Sequence, residues 1–379
     1  MTQTKVEAPF VENNRQFRNL IINGDFKTWQ RATAATAFSS GAYTTADRWK
    51  NLISTDGVLK SERHAMSLAD QATTGQAYAY KVTCTSADTS IAAGQYALIH
   101  QPIEAQNLQH LKYGTSSAET LTLSFWAKAT TQESTASDAK FSVTLNKPDS
   151  TAYFCTKEYS FDAHDTWKKF EITFTPTEGT TTLITNSGGA IVNDNGVGLH
   201  LYFAFGNGSN FTGTANTWTA DSDYASTNQH NLLVNTSNNW FVTGVQLEVG
   251  DAATDFEHLP VDVQLARCHR YYYLLTQPQT GNNEPMGTGI YYSSSQVNCH
   301  IPTKVPMRTS PSIVCTDASN HFIVFRNSAS DPVDNWSMGE STENTVELYN
   351  PADVSGTAGH GCTLSTNNSS AKLAFSAEL

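Results

Sequence analysis

Three short clusters bring together side chains that could do chemistry. Phe161-Asp162-Ala163-His164-Asp165 sets an imidazole between two carboxylates, the groups of a metal site or an acid–base pair. The same residues also make a polar turn ahead of a strand at 167–175. Cys268-His269 and Cys299-His300 each place a thiol beside an imidazole. Neighbours on a strand point to opposite faces, so neither pair readily holds one metal ion. The chain has no GxSxG elbow, P-loop, HExxH or Gly-rich dinucleotide turn. Glycoside hydrolysis needs two carboxylates across a cleft, and among 35 acidic residues no spacing singles out a pair. The residues therefore point away from an enzyme, with no cofactor and no metal ion expected; cleavage of a surface polysaccharide stays as an alternative.

Residues suited to binding are easier to nominate. Trp126 and Tyr202 alternate away from the apolar faces of two expected strands, and Gln246 and Glu248 do the same on a third. Aromatic plates beside hydrogen-bonding groups suit a sugar, whose C–H face stacks while its hydroxyls are bridged. These four residues are the candidate ligand contacts. A strand buried on both faces would instead make Trp126 part of the core.

The elements that must hold these residues are strands. Leu20-Ile21-Ile22 reads as a short strand entering an Asn23-Gly24 turn. Strands are expected at 76–84, 95–103, 120–129, 140–145, 168–175, 198–206 and 240–249. In the third, Leu121, Leu123, Phe125, Ala127 and Ala129 share one face, with Thr122, Ser124, Trp126 and Lys128 opposite. That period of two predicts a half-buried antiparallel strand. Phe170, Ile172 and Phe174 repeat it, as do Leu199, Leu201, Phe203 and Phe205. One helix follows: Pro260 suits a first turn, and Val261, Leu265, Cys268 and Tyr272 fall at helical spacing. Further strands are expected at 289–293, 296–301, 312–316, 321–325, 345–348 and 372–379. The fold class is thus all-β: a jelly-roll β-sandwich at 19–257, a connector helix and strand at 258–276, and a second, smaller β-sandwich at 277–379. Residues 1–18 carry charge without periodicity and read as an arm that is either mobile or docked on a partner.

Composition agrees. Of 379 residues only 15% are charged while aromatics reach 11%, which suits many short strands joined by polar turns. A net charge of −12 and the absence of any basic run argue against nucleic acid. No apolar stretch is long enough to span a bilayer, so no membrane insertion is expected. The six cysteines include no CxxC pair and read as buried thiols in strands.

Several of these segments, taken in order, resemble a known pattern. Asn19-Leu20-Ile21-Ile22-Asn23-Gly24-Asp25-Phe26 with Trp29-Gln30-Arg31 resembles the opening of carbohydrate-binding-module-like jelly rolls found in bacteriophage tail-fibre and other virion appendage proteins. Tyr43-Thr44-Thr45-Ala46-Asp47-Arg48-Trp49, Thr122 to Ala129, and Gly244-Val245-Gln246-Leu247-Glu248-Val249-Gly250 followed by Thr254-Asp255-Phe256-Glu257 are similar to its later signatures. Leu265 to Tyr272, Met307-Arg308-Thr309-Ser310-Pro311 and the terminal Ser376-Ala377-Glu378-Leu379 resemble the helix and C-terminal β domain of such proteins. The resemblance implies a virion structural protein of a tailed phage, assembled in the host cytoplasm and exposed on the particle. It implies a homotrimer that contacts other virion proteins through its N-terminal arm and a host-surface glycan or receptor at its distal domains. The chain lacks a long repetitive shaft, which keeps a purely architectural head fibre, decoration or adaptor protein as the second reading. In related jelly rolls a calcium ion is held by an acidic residue after the opening Gly-x-Phe and by the last strand. Here those positions are Lys27 and the Thr243-Gly244 pair, and a lysine cannot ligate calcium.

Overall fold

The computed structural model describes residues 17–38, 40–277 and 283–379. The expected N-terminal arm lies outside these residues except for Phe17 and Arg18. The chain divides into two compact units at Leu259/Pro260. Both are all-β and built mainly of antiparallel sheets, as expected, with one short parallel pair between Thr212–Gly213 and Ala225–Ser226 in the first.

The first unit is a sandwich of two six-stranded sheets. The first sheet runs in the order Ala34–Ala35, Val58–Ala65, Tyr78–Ser86, Asn239–Val249, Leu121–Thr130, Lys168–Phe174; the second runs Trp218–Thr219, Tyr153–Tyr159, Phe141–Lys147, Val197–Asn207, Tyr96–Glu104, Lys50–Ser54. The apolar halves of the alternating strands meet between them. Leu121, Leu123, Phe125 and Ala127 face Leu199, Leu201, Phe203 and Phe205 across a core closed by Trp49, Trp218 and Trp240, all at most 1% exposed. The strand at Leu121–Thr130 is not half-buried as its alternation predicts. Thr122, Ser124 and Lys128 on its polar side are also below 9% exposed, because other segments of the chain cover that side.

Strand Asn239–Val249 changes parity halfway. Trp240 and Val242 point into the core, and so do Val245 and Leu247, because a bulge between Thr243 and Gln246 inserts one residue. Gly244 makes the bulge at φ +60°, a left-handed conformation that favours glycine. The opening segment docks on this strand instead of forming the expected strand: its backbone bonds link Leu20 N to Leu247 O and Val245 N to Gly24 O. On its other side the Gln101 amide of the second sheet bonds both the N–H and the C=O of Ile22, at 2.7 and 2.8 Å. The segment is thus a wedge between the sheets.

A helix absent from the sequence reading spans Leu68–Thr74. Ser67 caps it, accepting the Asp70 N–H, and Gly75 at φ +72° ends it. The Phe161–Asp165 cluster is a turn whose outer carboxylates pair with Lys168 and Lys128, each at 2.8 Å.

In the second unit, the segment expected as a connector is part of the folded body. Helix Val261–His269 buries Cys268 and His269, and the following strand Tyr272–Thr276 pairs with Leu373–Ser376, which pairs in turn with Ser312–Cys315. Cys268-His269 therefore lies at a helix end, not on a strand. Seven more strands form one sheet, from Ala329–Val333 at one edge to Ser337–Ser341 at the other. Tyr291, Phe322, Trp336, Leu348, Leu364 and Phe375 fill its core. Cys299 is buried and His300 exposed, on opposite faces of one strand. All six cysteines are free thiols, five of them buried. Among the described residues no helix is long and apolar enough to cross a membrane.

Candidate functional site

The four nominated residues do not form one site. Trp126, Gln246 and Glu248 lie on the outward side of the first sheet, while Tyr202 lies on the outward side of the second.

Gln246 and Glu248 have the outward direction that their alternation predicts, but they are 0% and 3% exposed. The chain folds back over them after the last strand. The Gln246 amide accepts the Glu257 N–H at 2.8 Å and donates to Glu248 Oε1 at 2.8 Å, and Glu248 accepts from Thr254 N and Thr254 Oγ1 at 2.8 and 2.7 Å. Arg18 Nε stands 3.6 Å from Glu248 Oε2. Their polar atoms hold residues 254–257 in place and do not meet solvent.

Trp126 is different. It is partly exposed in a cleft of about 280 Å³ whose floor is the Gly244 bulge. A Cβ at position 244 would touch Trp126 Cδ1 at 3.4 Å and Gln76 Nε2 at 3.5 Å, so indole and amide flank the same bare backbone. The Leu68–Thr74 helix, ending at Gly75, delivers Gln76 to this point. Gln76 is 1% exposed, and its Oε1 accepts no hydrogen bond among the described residues. Such an acceptor costs free energy until something donates to it. The far wall comes from the segment held by Glu248: Asp255, Phe256 and His258, with the last two rings 5.0 Å apart, edge to face. Burial, with Lys27 nearby, lowers the pKa of His258 and favours the neutral ring. Lys169, paired across the ladder with Trp126 and 2.8 Å from Glu171, closes the open end. The cleft thus offers a stacking surface, a buried amide and a peripheral charge.

Tyr202 is 5% exposed, stacked 5.0 Å from His100 and tilted against Tyr224 at 5.2 Å. The crossing at 208–231 lies over it, tied down by Thr144 Oγ1 donating to Tyr224 O at 2.9 Å and Ser142 Oγ accepting from Ser226 N at 3.0 Å. The ring is a packing element of this face, not an open plate. Beside it the Nδ1 atoms of His100 and His200 lie 3.1 Å apart. Burial, then Lys50, pulls His200 down to about 3; burial, then the His200 charge, holds His100 well below its ordinary value. Folding keeps the ring neutral, so its contribution to stability is complete above the unfolded value of 6.5 and is lost as pH falls from there toward 3. In that window the unfolding free energy of a His200→Gln variant is expected to fall less steeply than that of the wild type, by up to one proton's linkage; parallel curves would refute the assignment.

Sequence reasoning found Trp126 but not Gln76, Gly244, Phe256 or His258. Ser67-x-x-Asp70 followed by Gly75 was a readable helix signal. The glycine inside the last strand was a readable bulge signal.

No protein-family model matches the chain, and no curated protein matches it. Solved structures similar to it include the carbohydrate-binding module TmCBM61 in complex with β-1,4-galactotriose, at 12% identity and TM-score 0.28, covering 62% of this chain and 99% of that one. A family 11 carbohydrate-binding module from Clostridium thermocellum gives 11% identity and TM-score 0.28, covering 60% and 99%. The enzymatically active domain of bacteriophage CBA120 tailspike protein 4 gives 8% and 0.26, covering 62% of this chain and 22% of that one. At these scores the likeness assigns no ligand to the chain.

Proposed function

We propose that this chain is a structural protein of a tailed-phage virion that binds a host-surface glycan through the Trp126 cleft, without catalysing a reaction on it. The observation that carries this reading is the cleft itself: a partly exposed indole beside the amide of Gln76, whose buried Oε1 has no partner among the described residues, in a space sized for a single sugar ring. A sugar offers an apolar C–H face to the indole and a hydroxyl or amide donor to Gln76. The ordered motifs from Asn19 to Leu379 support the virion setting, assembly in the host cytoplasm and a homotrimer.

The test is binding of the purified full chain to host cells and to an array of surface glycans. Trp126→Ala is expected to weaken binding at least about tenfold while leaving the melting temperature nearly unchanged. Wild-type binding by that variant, or release of reducing sugar from the host polysaccharide, would overturn the reading.

A further inference from the structure

The opposite face of the first unit carries a second cleft that the glycan reading does not use. The crossing at 208–231 encloses about 510 Å³ lined by oxygen-bearing side chains, among them Asn210, Thr212, Thr219, Asp221, Ser222 and Asp223. No lysine, arginine, histidine, cysteine or aromatic ring lines it.

Asp223 is the anomaly. It is only 9% exposed, yet its carboxylate takes part in no hydrogen bond or ion pair among the described residues. Its backbone is fully used, the N–H donating to Asp221 O at 2.8 Å and the C=O accepting from Thr156 Oγ1 at 3.1 Å. Its side chain lines the cleft. Gly213 faces it: a Cβ there would lie 1.8 Å from Asp223 Oδ2, so any side chain at 213 would displace the carboxylate. Asp221 stands nearby, its Oδ2 accepting from Thr219 Oγ1 at 3.3 Å. Burial, then the Asp221 charge, raises the Asp223 pKa. A nearly buried carboxylate next to a second one is a standing cost that a cation removes.

The donor set decides which cation. Carboxylates, hydroxyls, carbonyls and water are hard ligands, and a roomy, irregular shell of roughly six to eight oxygens suits calcium better than octahedral magnesium. Zinc and copper favour imidazole or thiolate, which the lining lacks. We infer that this cleft binds a calcium ion through the carboxylates of Asp223 and Asp221, completed by neighbouring hydroxyl and carbonyl oxygens and water. The ion pins the crossing onto the second sheet. The inference is independent of the glycan reading, since Trp126 lies on the other face.

Terbium is the probe, a luminescent ion with calcium's preference for oxygen. Trp218, between Thr217 and Thr219 of the lining, and Tyr224, next to Asp223, are positioned to sensitise it. With the full chain, saturable luminescence is expected that calcium displaces and magnesium displaces far less, and calcium should raise the melting temperature. Asp223→Asn is expected to weaken both responses at least about tenfold, with the melting temperature in chelator at or above that of the wild type. Asp251→Asn, an exposed acid elsewhere, should change nothing. If Asp223→Asn does not fold, Asp221→Asn is read by the same criteria. No saturable signal at millimolar ion, or equal affinity in the aspartate variants, overturns the inference. So does calorimetric binding of a sugar, lost in Asp223→Asn, without any ion response.

Discussion

Replacing Trp240 by alanine is expected to lower the unfolding free energy of the first unit by about 4 kcal/mol. The indole is 0% exposed, lies 5.3 Å from Phe203 and 5.1 Å from Phe205, and donates from Nε1 to Tyr159 Oη at 3.0 Å. Alanine therefore opens a cavity between the sheets and also leaves a buried phenol without its donor. Trp240→Phe keeps most of the volume and should cost about 1–2 kcal/mol for the bond and the smaller ring. Because the chain holds two compact units, denaturant unfolding should show the first unit's transition moving while the second stays put. A loss below about 1 kcal/mol for the alanine variant would contradict the core described above.

The second large effect links stability to the cleft. Glu248→Ala is expected to cost about 3 kcal/mol, since it strips Thr254, Gln246 and Arg18 of a shared buried acceptor. Its more telling consequence is local. The segment it releases supplies Asp255, Phe256 and His258 to the cleft wall, so ligand affinity should fall although Glu248 touches no ligand. Amide hydrogen exchange at 250–258 should rise well before global unfolding, and Glu248→Gln, which keeps an acceptor, should show a smaller rise. Unchanged exchange in the alanine variant would show that the latch lies elsewhere.

These two residues also mark what the sequence could and could not tell. Strands with a continuous apolar side, such as Leu121–Thr130 and Val197–Asn207, were readable because a core needs one oily face per strand. Val58–Ala65 was missed because its inward positions are Leu59 and Ser61, which leave no alternation to see. Tyr153–Tyr159, buried on both faces, gave no contrast either. For the site, parity gave Gln246, Glu248, Tyr202 and Trp126 their outward directions. Parity carries no information about what lies on top, and the cover comes from residues at the far ends of the unit or from the 208–231 crossing. Only Trp126 is left partly open. The helix that presents Gln76 spans seven residues with no apolar stripe, so its caps were its only signal.

One contact has a mechanical meaning. Phe17 N and Asn19 N donate to Glu257 Oε1 and Oε2 at 2.7 and 3.1 Å, so the first described residues of the unit meet its last. A pull between the chain before Phe17 and the chain after Leu259 is carried across this clasp. Glu257 and the Arg18 bonds beside it bear the load first, and the strands of the sandwich feel it only after the clasp gives way. A load applied at the two ends of the unit thus leaves undisturbed the faces that hold its clefts.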